Sequence, residues 1–277
     1  MIPVVELLVA AEEVAVAAGK LVHDKWVNPV PVQSKGFRDV VTEADFAAQA
    51  LITNAVQSRF PTHGFLTEED DASLPTVGDV IWVIDPIDGT INFSRGMPDF
   101  CVSVAAVEGG KPLADIVANP KILAGAIYDP MRGELFSAGL GLGGFVTGNG
   151  GEKRPLSVST ISKLSDALIS HDWSHEVVGR QYILERLSAI APHVFTIRAV
   201  GTASLALAWL AAGRTDLYFN YTLKPWDVAA GQLLIAEAGG LFANADGSPL
   251  AWDVNGMTCL ASNGRLHQPY IQMIAGR

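Results

Sequence analysis

The chain has 277 residues and a formal net charge of −10, from 19 basic and 29 acidic side chains. Hydrophobic residues make up 49% of it and charged residues 17%, which indicates a core-forming globular chain and excludes a disordered one. The acidic balance argues against a nucleic-acid or anionic-membrane partner, because both select a basic surface. The length allows one large domain or two small ones.

Two cysteines, Cys101 and Cys259, lie far apart and belong to no CxxC or Cys/His pattern. A disulfide framework or a structural zinc site is therefore not expected, and a reducing compartment fits. The first residues lack the basic region of a signal peptide. The longest uncharged apolar stretch, residues 199–213, is shorter than the roughly 20 residues that span a bilayer. We expect a cytoplasmic protein with no membrane partner.

Hydrophobic periodicity predicts the elements of the first half. Apolar residues recur at three- and four-residue steps over 4–26, and prolines end this helix. A second helix is predicted over 45–60, where Pro61 stops it. Short apolar runs predict strands at 81–84, 101–107, 125–128 and 134–137. The glycine-rich stretch 139–151 then predicts a hairpin turn rather than a dinucleotide-binding loop, since no suitable strand–helix unit follows.

Helices and strands continue to alternate in the second half. Strands are predicted at 168–170, 194–197, 217–219 and 257–261. Helices are predicted at 180–191, 202–212 and 226–238, with a last one ending at 274. The alternation indicates an α/β or α+β fold.

Two acids, Asp85 and Asp88, directly follow the apolar strand predicted at 81–84. This is an unfavourable place for negative charge unless a cation neutralises it. Gly89 and Thr90 come next and are suited to open a short helix, whose free N–H groups would face an anion. Acids for a metal beside amides for a phosphate are typical of phosphoryl transfer. Alone, the segment is also compatible with an ordinary turn.

Further acids occur at Asp45, at Glu68-Glu69 and at Asp227. Each has a plain structural interpretation as part of a solvated face or a helix cap. Asp45 and Asp227 both lie near predicted helix starts, where an acid favours the helix dipole.

Five segments together resemble the inositol monophosphatase family. They are the segments 41–45 (VTEAD), 68–69 (EE), 82–93 (WVIDPIDGTINF), 198–204 (RAVGTAS) and 225–231 (PWDVAAG), in the order that the family has them. The resemblance implies a mixed α+β fold, a layered αβαβα sandwich shared with fructose-1,6-bisphosphatase. It also implies one phosphatase unit over 1–277, with most metal ligands in the half 1–150 and Asp227 and substrate contacts in the half 151–277.

The implied activity is Mg²⁺-dependent, lithium-sensitive hydrolysis of a small phosphomonoester by a homodimer. Two or three Mg²⁺ ions are implied per active site, with Mn²⁺ as a substitute, because the ligands are all oxygens. By position, Glu68, Asp85 and the carbonyl of Ile87 would hold the first metal. Asp85 would bridge to a second metal that Asp88 and Asp227 complete. Glu68 and Thr90 would orient the attacking water, Asp45 would orient Thr90, and Glu69 would be a structural acid.

The resemblance also implies where the substrate is held. The amides of Gly89 and Thr90 would bind phosphate oxygens, and Lys35, in a mobile loop over 34–39, would add positive charge. The remaining implied contacts to phosphate or substrate are Asp88, Thr202, Ala203, Asn220 and Asp227.

Two features depart from the family pattern. Asn220 stands where inositol phosphatases have a glutamate that contacts sugar hydroxyls, so inositol recognition loses a charge-assisted acceptor. Residues 113–122 form an insertion, which we interpret as a longer surface hairpin, with a dimer contact or substrate lid as the alternative.

Inositol-1-phosphate is the default substrate. Histidinol phosphate, adenosine 3′,5′-bisphosphate and fructose-1,6-bisphosphate remain alternatives, since all four enzymes share the metal cluster. A transcription-associated binding role is the alternative from another class. The pair His171 and His175 has helical metal-ligand spacing but no third ligand, so a loop near the substrate side is favoured over a metal site.

Overall fold

A computed structural model describes residues 2–28, 32–36 and 39–276. The helices are α1 (Val4–Val27), α2 (Glu43–Arg59), α3 (Thr90–Ser94), α4 (Leu113–Ala118), α5 (Val177–Ile190), α6 (Ala203–Ala211), α7 (Pro225–Glu237) and α8 (His267–Ala275). The first strands are β1 (Val32–Gly36), β2 (Asp39–Thr42), β3 (Gly64–Thr67), β4 (Val80–Asp88), β5 (Cys101–Glu108), β6 (Ile122–Asp129) and β7 (Glu134–Gly139). They are followed by β8 (Gly143–Thr147), β9 (Lys153–Pro155), β10 (Leu168–His171), β11 (Thr196–Ala199), β12 (Leu217–Leu223), β13 (Leu241–Ala243) and β14 (Met257–Ser262).

Two large sheets organise these elements. The first has seven strands in the order β3–β9, all antiparallel except the edge pair β3–β4. The second has five strands in the order β11-β10-β12-β14-β13, with β10 parallel to both of its neighbours. Because β4 and β5 are buried on both faces, their sequences are mostly continuous apolar runs and do not alternate between apolar and polar residues.

The helices form three layers around the sheets. The apolar faces of α1 and α2 pack on one side of the seven-stranded sheet. On its other side, α6 and α7 form the middle layer and share a hydrophobic cluster with both sheets. Finally, α5 and α8 cover the outer side of the five-stranded sheet. The expected layered αβαβα arrangement is confirmed.

The middle layer depends on close backbone approach at glycine. A Cβ on Gly125 in β6 would lie 3.0 Å from the Cα of Ala230 in α7. One on Gly231 would lie 2.7 Å from the side chain of Leu207 in α6. These glycines let α7 pack closely between the seven-stranded sheet and α6. This close packing sets the distance between the N-terminus of α7 and the end of β4.

The sequence-based elements hold with few exceptions. The periodic positions of the first helix, from Leu7 to Val22, are buried as expected. The expected loop over 34–39 is wrong in part, because 32–36 and 39–42 pair as antiparallel strands. The insertion is a helical turn rather than a bare hairpin. Its Ile116 is buried, and the carbonyl of Val117 accepts the N–H of Trp252 at 3.0 Å.

Among the described residues, no helix combines the length and apolarity required to cross a bilayer.

Candidate active site

A cavity of about 1000 Å³ lies where the end of β4 meets the N-termini of α6 and α7. Most of the residues implied by the family resemblance line it. These are Glu68, Asp85, Ile87, Asp88, Gly89, Thr90, Thr202, Ala203, Asn220 and Asp227. Asp45 is buried directly behind this wall, on α2. The side chain of Lys35 lies outside the part of the chain that the structure describes.

Asp85 and Asp88 reach the cavity because β4 is irregular at its end. Its register with β5 shifts between these two residues. The Oδ1 of Asp85 accepts the N–H of Ile87 at 3.0 Å and closes the turn. Gly89 then adopts φ = +99°, a conformation that disfavours any side chain, and caps α3. The strand end, the turn and the short helix therefore follow from the sequence of this one segment.

Asp227 and Asp45 are both helix caps and neighbours of the site. Asp227 accepts the N–H of Lys224 at 2.7 Å at the start of α7. Asp45 accepts the N–H and the hydroxyl of Thr42, at 2.8 and 2.6 Å, at the start of α2. Its other oxygen lies 3.3 Å from the hydroxyl of Thr90. The capping interpretation of these acids is confirmed, and it does not compete with a role in the cavity.

The carboxylates in the cavity act on one another electrostatically. Burial raises the pKa of Asp85 well above its usual value, and the charges of Glu68, Asp88 and Asp227 raise it further. The pKa of Asp227 is also raised well above its usual value, by burial first and then by the charge of Asp88. Burial raises the pKa of Asp88 as well, although the Ser204 amide opposes the shift.

This donor set suits a hard divalent cation. Its groups are carboxylate oxygens and the nearby carbonyl of Ile87, with no sulfur or imidazole among them. Within the described residues, no three His, Cys, Asp or Glu side chains already enclose a metal-sized position. The carboxylates share one cavity, and binding a cation would require side-chain rotation there. A cation would relieve the mutual repulsion that raises their pKa values.

Ser204, in the first turn of α6, connects the end of β4 to the start of α7 at the cavity. Its N–H donates to the carboxylate of Asp88, and its hydroxyl donates to the carbonyl of Asp227 at 2.9 Å. Asn92 makes a similar connection, because its side-chain amide donates to the carbonyls of Asp99 and Val200, at 2.7 and 3.0 Å. Both residues lie inside the segments that resemble the family, but no role was predicted for either of them.

A buried hydrogen-bonded chain supports the loop that precedes α6. Asp172 accepts the N–H groups of Val200 and Gly201 with one oxygen and the hydroxyl of Tyr218 with the other. The Nδ2 of Asn220 donates to the same hydroxyl at 2.9 Å, and its Oδ1 accepts the N–H of Tyr221. Burial raises the pKa of Asp172 to about 7, although these amides and the hydroxyl oppose the shift. Asn220 is thus held within the protein.

We expect Tyr218→Phe to lower the free energy of unfolding by about 1–3 kcal/mol, the usual cost of stranding buried polar partners. Asp172 would lose a donor, and the amide of Asn220 would lose its acceptor. Tyr270→Phe is the matched control, since this buried hydroxyl has no hydrogen-bond partner within the described residues. Urea unfolding of both variants measures the difference, and equal losses would contradict this role of Tyr218.

The loop with the two histidines borders the cavity, as expected. His175 lies in the cavity wall, whereas His171 is buried and stacks on Phe219. These two histidines do not form a metal-binding group with any third described ligand.

Comparison with known proteins places these features in one family. The profile of the inositol monophosphatase family matches residues 4–275. Inositol-1-monophosphatase of Synechocystis is 34% identical over 267 residues, which cover 96% of this chain and 87% of that protein. Nus factor SuhB of Salmonella typhimurium is 36% identical over 247 residues, which cover 87% of this chain and 86% of that protein.

A solved structure agrees with this likeness. The crystal structure of extragenic suppressor protein SuhB from Bartonella henselae matches with a TM-score of 0.84 at 33% identity, covering 98% of both chains. The fold, the matched segments and the cavity all agree with this family, which is generally metal-dependent. The chain therefore belongs to the inositol monophosphatase family and is a phosphatase.

Proposed function

We propose that the protein hydrolyses the phosphomonoester of a small phosphorylated alcohol of the inositol-1-phosphate type, with Mg²⁺ as its metal. The observation that carries this proposal is the mutual electrostatic coupling of Glu68, Asp85, Asp88 and Asp227 in one cavity. Such a cluster is destabilising by itself and becomes favourable when it binds cations.

The metal ligands proposed are Glu68, Asp85 and the Ile87 carbonyl for one ion, and Asp85, Asp88 and Asp227 for a second. Mn²⁺ is a plausible substitute, since the same oxygens suit it. When bound, the metal supplies a water of lowered pKa and neutralises charge on the phosphoryl oxygens. The remaining roles are proposed for side chains and amides of the protein itself.

Thr90 is suited to orient the attacking water. Its hydroxyl lies 2.9 Å from the carbonyl of Ile87 and 3.3 Å from Asp45, both of them acceptors. Because the single hydroxyl proton is directed at these groups, the oxygen lone pairs are left to accept a hydrogen bond from water. Glu68, in the same wall, would accept a hydrogen bond from the second O–H of that water and so help to orient it.

The phosphate would bind at the start of α3 and at the start of α6. Gly89 and Thr90 are the cap and first residue of α3, where N–H groups have no partner within the helix. Thr202 and Ala203 occupy the equivalent positions of α6 and also line the cavity. Metal charge and these amides would attract a phosphate, so the acidic net charge of the protein does not oppose such a substrate.

Asn220 is proposed to contact the alcohol part of the substrate through its remaining Nδ2 hydrogen and the second lone pair of its Oδ1. Its first Nδ2 hydrogen and the first Oδ1 lone pair bind Tyr218 and Tyr221. Asn220 would therefore bind inositol hydroxyls more weakly than an unpaired carboxylate would at the same position.

A Mg²⁺-dependent phosphate-release panel tests the proposal. It compares inositol-1-phosphate, histidinol phosphate, adenosine 3′,5′-bisphosphate and fructose-1,6-bisphosphate by kcat/KM, with EDTA-treated protein as the control. One ester hydrolysed at least tenfold better than the others, a preference of about 1.4 kcal/mol, would identify the substrate. Phosphate release that is undetectable for all four esters would reject inositol-1-phosphate and its three alternatives.

A transcription-associated role is a second candidate, because several relatives, including those of Salmonella typhimurium and Escherichia coli, are named Nus factor SuhB. Co-purification with RNA polymerase tests it. Stable association together with no hydrolysis of any ester would favour this role over catalysis.

A further inference from the structure

Arg180, in the first turn of α5, belongs to the wall of the same cavity as Asp85 and Asp88. Its Nε donates to the carbonyl of Ser174 at 2.9 Å. Its guanidinium carbon lies 5.8 Å from the centre of the Trp173 ring, which is 40% exposed. Within the described residues, the two terminal nitrogens of Arg180 have no protein acceptor.

The position of Arg180 is fixed by the close packing of its neighbours. A Cβ on Gly179 would lie 2.3 Å from the Oγ of Ser174 and 2.6 Å from the ring of Tyr221. The same Oγ accepts the N–H of Glu176 at 3.0 Å and lies 3.1 Å from the hydroxyl of Thr222. The start of α5 is therefore locked against the loop over 172–176, so that the guanidinium is already oriented before any ligand binds.

The charge environment of Arg180 differs from that of the ion-paired arginines. Arg132 and Arg214, for example, pair with carboxylates at 2.8 and 2.5 Å. Arg180 forms no ion pair with any described carboxylate, although Glu176 lines the same cavity. Lys224, another cation of this wall, donates to the carbonyl of Val254 at 2.9 Å. A half-buried guanidinium with unused donors is therefore available to an anion in an otherwise acidic cavity.

We propose that Arg180 and Trp173 form a second subsite, which binds an anionic group of the substrate other than the phosphate being hydrolysed. That group is a second phosphate or a carboxylate, because the planar fork of arginine matches both bidentately. The exposed Trp173 ring would contact the carbon skeleton between the two anions. This inference rests on the proposed phosphatase function and narrows it. Esters whose only anionic group is the phosphate being hydrolysed would be substrates, and esters with a second anionic group would be better ones.

Matched substrate pairs test the proposal. Fructose-1,6-bisphosphate is compared with fructose-1-phosphate, and 3-phosphoglycerate with glycerol-3-phosphate, so each pair differs by one anionic group. In the wild type we expect kcat/KM to be at least tenfold higher for the member with the second anionic group in one of the two pairs. A preference in the fructose pair indicates a second phosphate, and a preference in the glycerol pair indicates a carboxylate. Arg180→Ala should bring this ratio close to one, and Arg180→Lys should restore part of it.

Arg198→Ala is the matched control, since this arginine is exposed and lies outside the cavity wall. Among the described residues its side chain binds only its neighbours Thr196 and Ile197. Its ratio should equal that of the wild type. A wild-type ratio of kcat/KM near one in both pairs would overturn the proposal. So would a wild-type preference that Arg180→Ala leaves unchanged, or a variant that loses kcat/KM equally on both members of a pair.

Failure of the phosphatase proposal gives a different result, namely no phosphate release from any of the four compounds. Calorimetric binding of fructose-1,6-bisphosphate and 3-phosphoglycerate then still tests Arg180. Weaker binding of either compound to Arg180→Ala than to the wild type supports the subsite, whereas unchanged binding of both refutes it.

Discussion

Replacing Asp88 by Asn is expected to lower kcat by about 10³-fold, corresponding to a loss of roughly 4 kcal/mol of transition-state stabilisation. The substitution removes one negative oxygen from the acids that are proposed to hold the metal. It keeps an acceptor for the N–H of Ser204, so that the connection between β4 and α6 survives. The loss should therefore appear in turnover and in the Mg²⁺ concentration required, and not in the fold.

Phosphate release titrated with Mg²⁺, together with thermal unfolding, measures both effects. Asp115→Asn is the matched control, because this exposed acid of α4 changes the net charge equally and lies outside the cavity wall. Wild-type turnover of Asp88→Asn at saturating Mg²⁺ would remove Asp88 from the proposed set of ligands.

Replacing Asp85 by Asn is expected to have opposite effects on activity and on stability. Turnover should fall at least as far as in Asp88→Asn, because Asp85 is proposed to bridge both metals. The metal-free protein should become more stable by about 1–2 kcal/mol, the gain usual when a destabilised active site is relieved. Asn retains the oxygen that accepts the N–H of Ile87 and loses the charge that Glu68, Asp88 and Asp227 repel.

The pH dependence has a definite sign. Since the pKa of Asp85 and that of Asp227 are raised in the folded protein, the folded state binds more protons than the unfolded state over the range between the ordinary and the raised pKa. The stability of the metal-free protein should therefore fall as pH rises through that range. Asp85→Asn should flatten the fall, and Mg²⁺ should oppose it in the wild type but much less in the variant.

Urea unfolding from pH 5 to 8, with EDTA or with excess Mg²⁺, provides the measurement. Tyr270→Phe serves here as well, as a variant that leaves the acids unchanged. A metal-free wild type whose stability rises steadily with pH over this range would contradict the raised pKa values.

Local sequence predicted the long elements well, because their burial is visible in periodicity or in continuous apolar runs. The helix predicted over 4–26 and the strand predicted at 81–84 are examples, and they are observed as Val4–Val27 and Val80–Asp88. It did not predict β3, β13 or the pair β1–β2, which have only three to five residues each. Such short strands form because a distant partner is present, as β4 is for β3, and their own sequences carry little signal.

The site residues also divide into those that local sequence predicted and those that it did not. The acids at 85 and 88 were recognisable because a buried strand ends in charge. The chain through Asp172, Tyr218 and Asn220 was not recognisable, since it depends on contacts between segments such as 172 and 200–201. Family resemblance indicated Asn220 as a substrate contact, whereas the structure shows that half of its hydrogen-bonding capacity is used inside the protein.

The acids of the cavity come from β4 and from α7, which are far apart in the chain, and this has a consequence for synthesis of the protein. Asp227 follows Asp85 by 142 positions. At a typical 5–20 residues per second, the ribosome needs roughly 7–28 s to produce that interval. During this time a nascent chain carries the acids of β4 without the helix that completes their surroundings. The proposed ion-binding centre can therefore be completed only late in synthesis, after α7 has been made.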